Sequence, residues 1–399
     1  MDSHQSRAPW ADPPKDILDL VVRRISCEVD RLRMGRVCHS WRLALAKLKP
    51  PAPPPPLPWL VLPETDVHGL TFSCVLSGWR RTHPFFLPHA ARHARYFGSY
   101  DGVWLFLAVD GQGDEDQDHL LVNLTNFQFL DLPNAIRIDP MFPQVIKDIE
   151  IAIVAATLSR QPTEQGCIAA GIIQLPPFFL GVKAIAFRRM GDRVILPFYE
   201  EVCHEVVEDL LYYKGDFLLL TREEDIRVCP EPIFHEAHVQ VVSNLLRFQP
   251  RGDDENILAR YLVQSRGRVL MVVKLSSPLD YWPTSAFRVF QREDRPLDDG
   301  MLEYSWSELD KLDGRMLFLR RGCSRSYEAA DGYPGMEGIY FLDDRSFHEP
   351  IFHDPDMAFD HAYHCSDNGK WSKSPSPQVD RCFPERGQSK YSSSVWILP

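Results

Sequence analysis

The amino-terminal fifty residues carry apolar side chains at helical spacing. Steps of three and four residues place one set on a single helix face, and this set is Ile17, Leu18, Val21, Val22 and Ile25. A second set with similar spacing ends before Pro50 and consists of Val29, Leu32, Val37, Trp41, Leu45 and Leu48. The pattern predicts a small helical bundle. So short a segment buries little surface by itself, and we therefore expect a partner to complete its apolar faces.

A proline-rich segment follows the predicted helices. Residues 50–58, PPAPPPPLP, contain seven prolines in nine positions. Such a segment adopts polyproline II geometry, rises about 3.1 Å per residue and acts as a semi-rigid spacer. We therefore place a domain boundary here. Docking of an SH3 or WW module onto these prolines is the alternative interpretation.

Beyond residue 58, short apolar runs alternate with turn residues, as is typical of strands. In one recurring motif a glycine turn leads into an apolar run, as in SYDGVWLFL, and its glycines are Gly102, Gly166, Gly215, Gly267 and Gly314. Their spacings of 64, 49, 52 and 47 residues resemble the period of propeller blades, about 50 in kelch repeats. The motif predicts roughly six or seven blades. A β-sandwich, or two unrelated β domains, is the alternative.

Composition and charge narrow the class of protein. Among 399 residues, 44 Lys and Arg stand against 55 Asp and Glu, and the net charge of −11 argues against nucleic acid as a partner. The longest apolar run, 166–182, is broken by Gln174, Pro176 and Pro177, so we expect no membrane partner. The amino terminus shows no secretory signal pattern, and nine cysteines without a C-x-x-C pair suit reduced thiols. These features predict a cytoplasmic or nuclear protein.

Catalytic and metal-binding motifs are incomplete in this sequence. The chain contains neither G-x-S-x-G nor the phosphate-binding pattern G-x-x-x-x-G-K-[ST]. HEVVE at 204–208 has glutamate where a zinc protease needs its second histidine, and we interpret HEAH at 235–238 as loop histidines. The acidic segment 110–118 lacks the glycine and glutamate of a calcium loop. The sequence therefore predicts no catalytic residues, no metal site and no cofactor.

Residues 10–48 resemble an F-box. The family pattern has a proline near the start, paired aliphatics, an Asp-Arg step and a closing Val-Cys-x-x-Trp-Arg. The matching residues are Pro14, Ile17, Leu18, Val21, Ile25, Asp30, Arg31, Val37, Cys38, Trp41 and Arg42. Pro13 stands where the family usually has leucine, which removes one apolar side chain from the expected partner surface. The resemblance implies binding to a Skp-type adaptor and, through it, to a cullin.

The rest of the chain resembles the KIB-type β-propeller domain that follows F-boxes in a large plant family. The segments that carry this resemblance are 98–107, 186–196, 209–220, 306–327 and 332–344, together with the ending VWILP. The implied fold class is α+β multidomain, with a small helical F-box followed by a mainly β propeller of kelch-like blades. The corresponding domains are an F-box at 10–48, a proline-rich linker at 49–58 and a propeller at 59–399.

These resemblances imply a non-catalytic substrate receptor of an SCF-type ubiquitin ligase, with an unknown target protein held by the propeller. The expected adaptor-binding residues are Pro14, Ile17, Leu18, Val21, Ile25, Val37 and Trp41. The sequence leaves open which of them form the core of the bundle and which face the adaptor, although a core position is favoured for Trp41. Two alternatives remain. One is a binding scaffold with a degenerate F-box, suggested by Pro13, and the other is a propeller enzyme with a site in its central channel.

Overall fold

The computed structural model describes a helical segment followed by a large β domain. The described residues are 14–24, 27–47, 57–75, 81–110, 117–138, 147–176, 183–191, 196–197, 206–235, 239–252, 256–277, 283–297, 302–349, 362–373 and 376–399. Within these ranges, every helix is too short or too polar to cross a membrane. None of the eight cysteines in these ranges forms a disulfide, in agreement with the expectation of reduced cysteines.

Three helices precede the sheets. They are α1 (Lys15–Arg24), α2 (Glu28–Val37) and α3 (His39–Lys47). α3 contacts both α1 and α2, and Leu18 and Met34 are buried with 1% and 6% exposure. The helices lie inside the range 10–48, and the domain bounds themselves stay a prediction. Residues 51–56, most of the proposed spacer, lie outside the described residues.

Six sheets of four or five strands form the blades of a β-propeller. The inner strands of successive blades contact one another around the axis. From the axis outwards, blade 1 consists of β29 (Val395–Ile397), β1 (Trp59–Leu62), β2 (Thr71–Cys74) and β3 (Thr82–Pro84). Blade 2 consists of β4 (Arg95–Tyr100), β5 (Trp104–Asp110), β6 (Gln117–Asn123) and β7 (Phe129–Leu132). Blade 3 consists of β10 (Ala152–Leu158), β11 (Ile168–Gln174), β12 (Lys183–Arg189) and β13 (Leu196–Pro197).

The second half of the ring is built in the same order. Blade 4 consists of β14 (Val207–Tyr213), β15 (Asp216–Thr221), β16 (Ile226–Pro230) and β19 (Asn244–Leu246). Blade 5 consists of β20 (Ile257–Ser265), β21 (Arg268–Ser276), β22 (Thr284–Pro296) and β23 (Leu302–Glu308). Blade 6 has five strands, β25 (Arg325–Glu328), β24 (Arg315–Phe318), β26 (Gly338–Phe341), β27 (Gly369–Ser372) and β28 (Gln378–Asp380). Six blades lie within the predicted six or seven.

Short elements connect or flank the blades. Helix α4 (His89–Arg92) lies between blades 1 and 2 in the chain. Two small antiparallel hairpins lie outside the blade sheets, one formed by β8 (Ala135–Ile138) and β9 (Lys147–Glu150), the other by β17 (Ile233–Phe234) and β18 (Val239–Gln240). The first hairpin lies in the connection from blade 2 to blade 3, and the second is an insertion between the third and fourth strands of blade 4.

The core of the propeller is divided among the junctions between blades. In the described residues, each neighbouring pair of blades shares a cluster of buried apolar side chains. Between blades 3 and 4, the rings of Phe187 and Phe217 meet edge to face with their centroids 5.4 Å apart. Because a single blade cannot bury both of its faces, these shared clusters require radial stacking. They exclude the β-sandwich alternative.

The recurring glycine turns form hairpins, as predicted. Gly102, Gly215 and Gly267 have φ angles of 64°, 97° and 71°, and the residue before each of them also has a positive φ. Two successive positive φ values are the geometry of a type I′ turn, whose twist matches that of the flanking strands. At Gly102 a Cβ atom would lie 2.6 Å from Cα of Pro399. This turn therefore requires glycine for close approach as well as for its backbone angle.

The carboxyl-terminal residues close the ring. β29 pairs antiparallel with β1, with Trp396 opposite Leu60, so the ending VWILP supplies the inner strand of blade 1. The segment before it is rich in Ser and Pro, a composition typical of mobile tails, but its described residues are ordered and largely packed against the propeller. Ser389, Ser392 and Ser394 are at most 1% exposed. The Ser392 hydroxyl accepts a hydrogen bond from the Tyr96 amide at 2.8 Å. Small hydroxyl side chains allow this segment to pack tightly against blade 2.

Blade 6 departs from the repeat. Its inner strand β25 comes after β24 in the chain, and β24 pairs parallel with β26. The turn at Gly314 therefore leads into the second strand of the blade without following an inner strand. The glycine motif located this blade correctly, but its strand order was not visible in the motif.

Candidate functional site

The amino-terminal helices expose large apolar side chains. Ile17 and Leu20 of α1 are 43% and 50% exposed. Val37 at the end of α2 is 61% exposed, and Leu43 of α3 is 46% exposed. We call these four residues the helical apolar surface. The sequence analysis missed Leu20 and Leu43 because they lie outside the apolar stripes from which the helices were predicted. A signal for them exists in the sequence. Each is a large apolar residue on the face of its helix opposite the apolar stripe, where polar residues are expected.

The other expected adaptor-binding residues differ in exposure. Pro14 is exposed, directly before α1. Leu18 is buried with 1% exposure and belongs to the interior of the helical segment. Val21 and Trp41 are half-buried, and Ile25 lies outside the described residues. The structure therefore separates core from surface where the sequence could not, and it assigns Leu18 to the core.

The helices are attached to blade 1 through the start of α2. Val29 packs against the apolar cluster between blades 1 and 2. Asp30 lies 3.7 Å from the guanidinium of Arg81, and Sγ of Cys27 lies 3.6 Å from Nε2 of His83. Hydrogen bonding to the Cys74 thiol lowers the pKa of Cys27 to about 5, with smaller contributions from backbone and His83 hydrogen bonds, and it outweighs the opposing effect of burial. This contact combines apolar packing with a cluster of titratable side chains.

A cavity of about 570 Å³ lies on the propeller axis, where the inner strands β4, β10, β14 and β20 reach their carboxyl ends. The hairpin turns at Gly102, Gly215 and Gly267 follow the inner strands at the same end. Hydroxyl, amide and charged groups dominate its wall, and its polar lining residues are Ser99, Tyr100, Thr157, Tyr212, Gln264, Ser265, Arg266, Ser324, Arg325, Ser326 and Glu328. Such a lining suits a polar segment of another molecule.

Charged residues in this cavity are paired across blades. Arg266 follows the inner strand of blade 5, and its guanidinium donates to both carboxylate oxygens of Glu328 in blade 6, at 2.9 and 2.5 Å. This hydrogen bonding lowers the pKa of Glu328 and raises that of Arg266. Arg325 lies 3.7 Å from Asp101 at the turn of blade 2. Because both pairs are partly solvent-exposed, they can exchange partners with an incoming ligand at little cost.

A denser ionic network lies deeper along the axis. Lys274 is fully buried and contacts Asp344 at 2.9 Å. Arg321 donates to the other carboxylate oxygen of Asp344 at 2.6 Å, and the Tyr261 hydroxyl also donates to that oxygen. Burial alone would raise the pKa of Asp344, but the charges of Lys274 and Arg321 outweigh it and hold the pKa well below its usual range. These charges are engaged with one another and serve to join blades 5 and 6.

Asp209 joins three parts of the ring. It is fully buried in β14 of blade 4. Its carboxylate accepts hydrogen bonds from the amides of Leu262 in blade 5, at 2.7 Å, and of Gly322 beside blade 6, also at 2.7 Å. A third bond comes from the amide of Leu210 at 2.8 Å. Burial raises the pKa of Asp209 to about 7, although the three amide bonds oppose this shift. No sequence motif marks this residue, because its partners lie in distant segments.

A second pocket lies deeper along the inner strands. Arg95, Arg320 and Arg321 line it together with Asp344 and Phe347. Arg320 donates to the carbonyl oxygens of Ser394 and Tyr96, at 2.6 and 2.9 Å. Three guanidinium groups against one carboxylate give this part of the axis a positive potential.

Two comparisons relate the chain to known proteins by sequence. Residues 71–365 match the sequence model of a family described as KIB1-4 beta-propeller. The chain belongs to the KIB1-4 β-propeller family. This confirms the resemblance inferred for the β-rich region. A separate match is to an Arabidopsis thaliana protein named "Putative F-box protein At3g25750", with 42% identity over 43 residues. It covers 11% of this chain and 12% of that protein. Together the two matches support a plant F-box protein with a KIB-type propeller.

Among solved structures, the chain is similar to one described as "The GH43, Beta 1,3 Galactosidase, BT3683 with galactodeoxynojirimycin". The similarity covers 77% of this chain and 98% of the other, at 10% sequence identity and a TM-score of 0.33. At this level the match carries no argument about the activity of the KIB1-4 propeller.

The incomplete metal motifs HEVVE and HEAH of this KIB1-4 propeller lie partly outside the described residues. Residues 204–205 of HEVVE and 236–238 of HEAH are not among those described. Glu208 is buried, and it accepts hydrogen bonds from the backbone amide of Arg260 at 3.0 Å and from its guanidinium at 3.2 Å. This glutamate is therefore part of an ion pair between blades 4 and 5. The arrangement agrees with the interpretation of HEVVE as an incomplete zinc motif.

Proposed function

We propose that this chain is the substrate-receptor subunit of an SCF-type ubiquitin ligase. In this proposal the amino-terminal helices bind a Skp-type adaptor, which connects them to a cullin. The propeller holds a target protein at the hairpin end of its axis. The receptor contributes proximity, because it raises the effective concentration of a target lysine near the conjugating enzyme. It needs no catalytic group of its own.

The exposed helical apolar surface is the observation that carries the proposal. Four large apolar side chains, each between 43% and 61% exposed, lie on three helices of nine or ten residues. Full burial of one such side chain by a partner contributes roughly 1.5 to 3 kcal/mol to the free energy of binding. We propose that these four side chains form one apolar patch, a feature typical of protein interaction sites. The F-box resemblance and the match to an F-box protein suggest the Skp-type adaptor as the partner.

The polar cavity at the hairpin end supports a role in target binding. Arg266, Glu328 and Arg325 present charges of both signs within a cavity of about 570 Å³. Partly exposed ion pairs and hydroxyl groups suit recognition of a polar loop or chain end. The propeller-enzyme alternative requires titratable groups that converge on a reactive centre without being committed to one another. The deeper charges of the axis instead form ion pairs between blades, as Lys274 and Asp344 do at 2.9 Å.

Co-purification of the full chain with a plant Skp-type adaptor tests the proposal. The double variant Ile17→Asp/Val37→Asp places charges on two exposed positions of the helical apolar surface. We expect its affinity for the adaptor to fall at least about ten-fold. Val67→Asp is the matched control, because Val67 is 81% exposed but lies before β2 in blade 1. Leu18 is unsuitable as a test position, since a charge at this buried site would unfold the helices.

Two results would contradict the proposal in different ways. Equal adaptor binding by the double variant and the Val67→Asp control would remove the helical apolar surface from the interface. Absence of binding by the unmodified chain would instead favour the alternative of a propeller scaffold with a degenerate F-box.

A further inference from the structure

Three potential metal ligands meet where α2 contacts blade 1. Cys27 directly precedes α2, Asp30 lies in its first turn, and His83 is the middle residue of β3. One ligand atom from each of them, the Cys27 sulfur, a carboxylate oxygen and an imidazole nitrogen, lies within 4.8 Å of the other two. Cys27 and His83 are 56 residues apart in the sequence. For this reason no sequence motif marks the group.

The spacing of the sulfur and nitrogen atoms fits one tetrahedral ion. Zinc binds cysteine sulfur at about 2.3 Å and histidine nitrogen at about 2.0 to 2.1 Å, so a tetrahedral angle separates the two ligand atoms by about 3.6 Å. Sγ of Cys27 and Nε2 of His83 are 3.6 Å apart. The Asp30 carboxylate oxygen lies within 4.8 Å of both atoms, so it needs a side-chain adjustment of at most about 1.5 Å to reach a coordinating position.

Burial distinguishes this cluster from a surface group of acidic residues. Cys27 and His83 are each only 2% exposed. Nδ1 of His83 is buried and has no hydrogen-bond partner among the described residues. With zinc on Nε2, the ring proton lies on Nδ1, and the burial of both side chains shields the ligand atoms from water.

A second sulfur lies beside Cys27, outside the group of three side chains whose ligand atoms are all within 4.8 Å of one another. Cys74, at the end of β2, is 3% exposed, and its thiol hydrogen-bonds to that of Cys27. Asp30 forms ion pairs of 3.7 Å with Arg33 and with Arg81. Both arginines are more than half exposed, so these pairs contribute little and do not prevent the carboxylate from turning towards a cation.

We propose that Cys27, His83 and Asp30, with Cys74 as the fourth ligand, form a zinc site that attaches α2 to blade 1. Two thiolates, one imidazole and one carboxylate are a ligand set that favours zinc over magnesium or calcium, which prefer oxygen ligands. The ion links residues on both sides of the contact between helices and propeller. It therefore fixes the direction in which the helical apolar surface faces. This site does not depend on the proposed ligase function.

Cobalt(II) substitution in the full chain tests the site. We expect the reduced, metal-free protein to bind one equivalent of Co²⁺, with sulfur-to-cobalt charge-transfer absorption and the intense visible bands of tetrahedral cobalt. Zn²⁺ should then displace the cobalt and abolish both signals. Cys27→Ser and His83→Gln should each weaken binding by about 100-fold or more. Cys365→Ser is the matched control, because Cys365 is also buried but lies in the carboxyl-terminal part of the chain.

A measurement on the unmodified chain covers the case in which a variant fails to fold. Zn²⁺ should protect Cys27 and Cys74 from alkylation, as mapped by mass spectrometry, while the other thiols keep their reactivity. The proposal is overturned if cobalt gives no thiolate band or if Cys27→Ser binds cobalt as tightly as the unmodified chain. It is also overturned if Zn²⁺ leaves the alkylation of both cysteines unchanged. Ready formation of a Cys27–Cys74 disulfide without zinc binding would identify a redox pair instead.

Discussion

The propeller and the amino-terminal helices complete their packing in different ways. Every junction between blades that the structure describes has its own buried apolar cluster. The helices instead leave Ile17, Leu20, Val37 and Leu43 in solvent. Closure of a ring allows each blade to bury both faces against its neighbours. Three short helices lack that possibility, and their remaining apolar surface is available to a partner.

Charged groups show the same contrast. Inside the propeller, between blades 5 and 6, Lys274 is fully buried and paired with Asp344 at 2.9 Å. On the helices, Asp30 forms looser pairs of 3.7 Å with exposed arginines. Breaking a buried pair leaves an uncompensated charge, whereas an exposed pair contributes at most about 1 kcal/mol. Substitutions inside the ring should therefore change stability, and those on the helical apolar surface should change binding.

Trp396→Ala should have the largest effect on stability. Trp396 is fully buried in the closing strand, and its ring meets that of Phe318 in blade 6 edge to face with centroids 5.2 Å apart. Removing a buried tryptophan leaves a cavity, and we expect a loss of about 3 to 5 kcal/mol in the free energy of unfolding. Urea denaturation followed by far-ultraviolet circular dichroism measures it. A loss under about 1 kcal/mol would mean that the ring does not depend on its closing strand.

Asp209→Ala should have the next largest effect. The substitution leaves the amides of Leu262 and Gly322 buried without their acceptor, at a cost of about 2 to 4 kcal/mol. The same denaturation measurement applies. Asp131→Ala, at an exposed position on β7, is the control and should change stability by less than about 0.5 kcal/mol. Equal effects of the two substitutions would show that Asp209 does not join the blades.

Local patterns in the sequence account for much of this fold. The glycine turns were predictable because a type I′ hairpin needs residues that accept positive φ, and such residues recur in blades 2, 4 and 5 at Gly102, Gly215 and Gly267. The helical stripes located α1 and α3 because one face of each helix is apolar. These features depend on neighbours within a few positions, which a single sequence displays.

Long-range contacts were not predictable from the same sequence. Asp209 meets Gly322 across 113 residues, and Cys27 meets His83 across 56. The buried carboxyl-terminal serines have the composition of a mobile tail, yet Ser392 accepts a hydrogen bond from Tyr96, 296 residues away. The reversed order of β24 and β25 likewise rests on the parallel pairing of β24 with β26, which local patterns do not display. Composition and periodicity carry no information on which distant segments become neighbours.

His119→Gln should alter the pH dependence of stability. Burial, reinforced by the charge of Arg95, lowers the pKa of His119 to about 3, whereas an unfolded chain has a histidine pKa of about 6.5. The folded state therefore binds fewer protons between these values. The stabilising contribution is fully present above about pH 6.5 and is lost as the pH falls through this window, by up to about 1.4 kcal/mol per pH unit.

Glutamine preserves an acceptor for the Ile153 amide, which donates to Nε2 of His119 at 3.1 Å, but it does not titrate. We expect urea denaturation at several pH values to give a shallower acid slope for His119→Gln. The difference between the proteins at about pH 7.5, where histidine is neutral in both states, isolates the change in packing. An unchanged slope between about pH 6 and pH 4 would contradict the assignment of His119 as an acid-sensitive group.

Val37→Ser should have the smallest effect on stability. Val37 is 61% exposed, so serine removes little buried apolar area, and the free energy of unfolding should change by less than about 0.5 kcal/mol. Leu18→Ala is the comparison within the same helices. Leu18 is 1% exposed, and its truncation should cost about 2 to 5 kcal/mol. If Val37→Ser destabilised the free chain as much as Leu18→Ala, Val37 would belong to the core of the helices. The contrast between a closed ring and a solvent-exposed helical surface would then fail at the most exposed residue of the helical apolar surface.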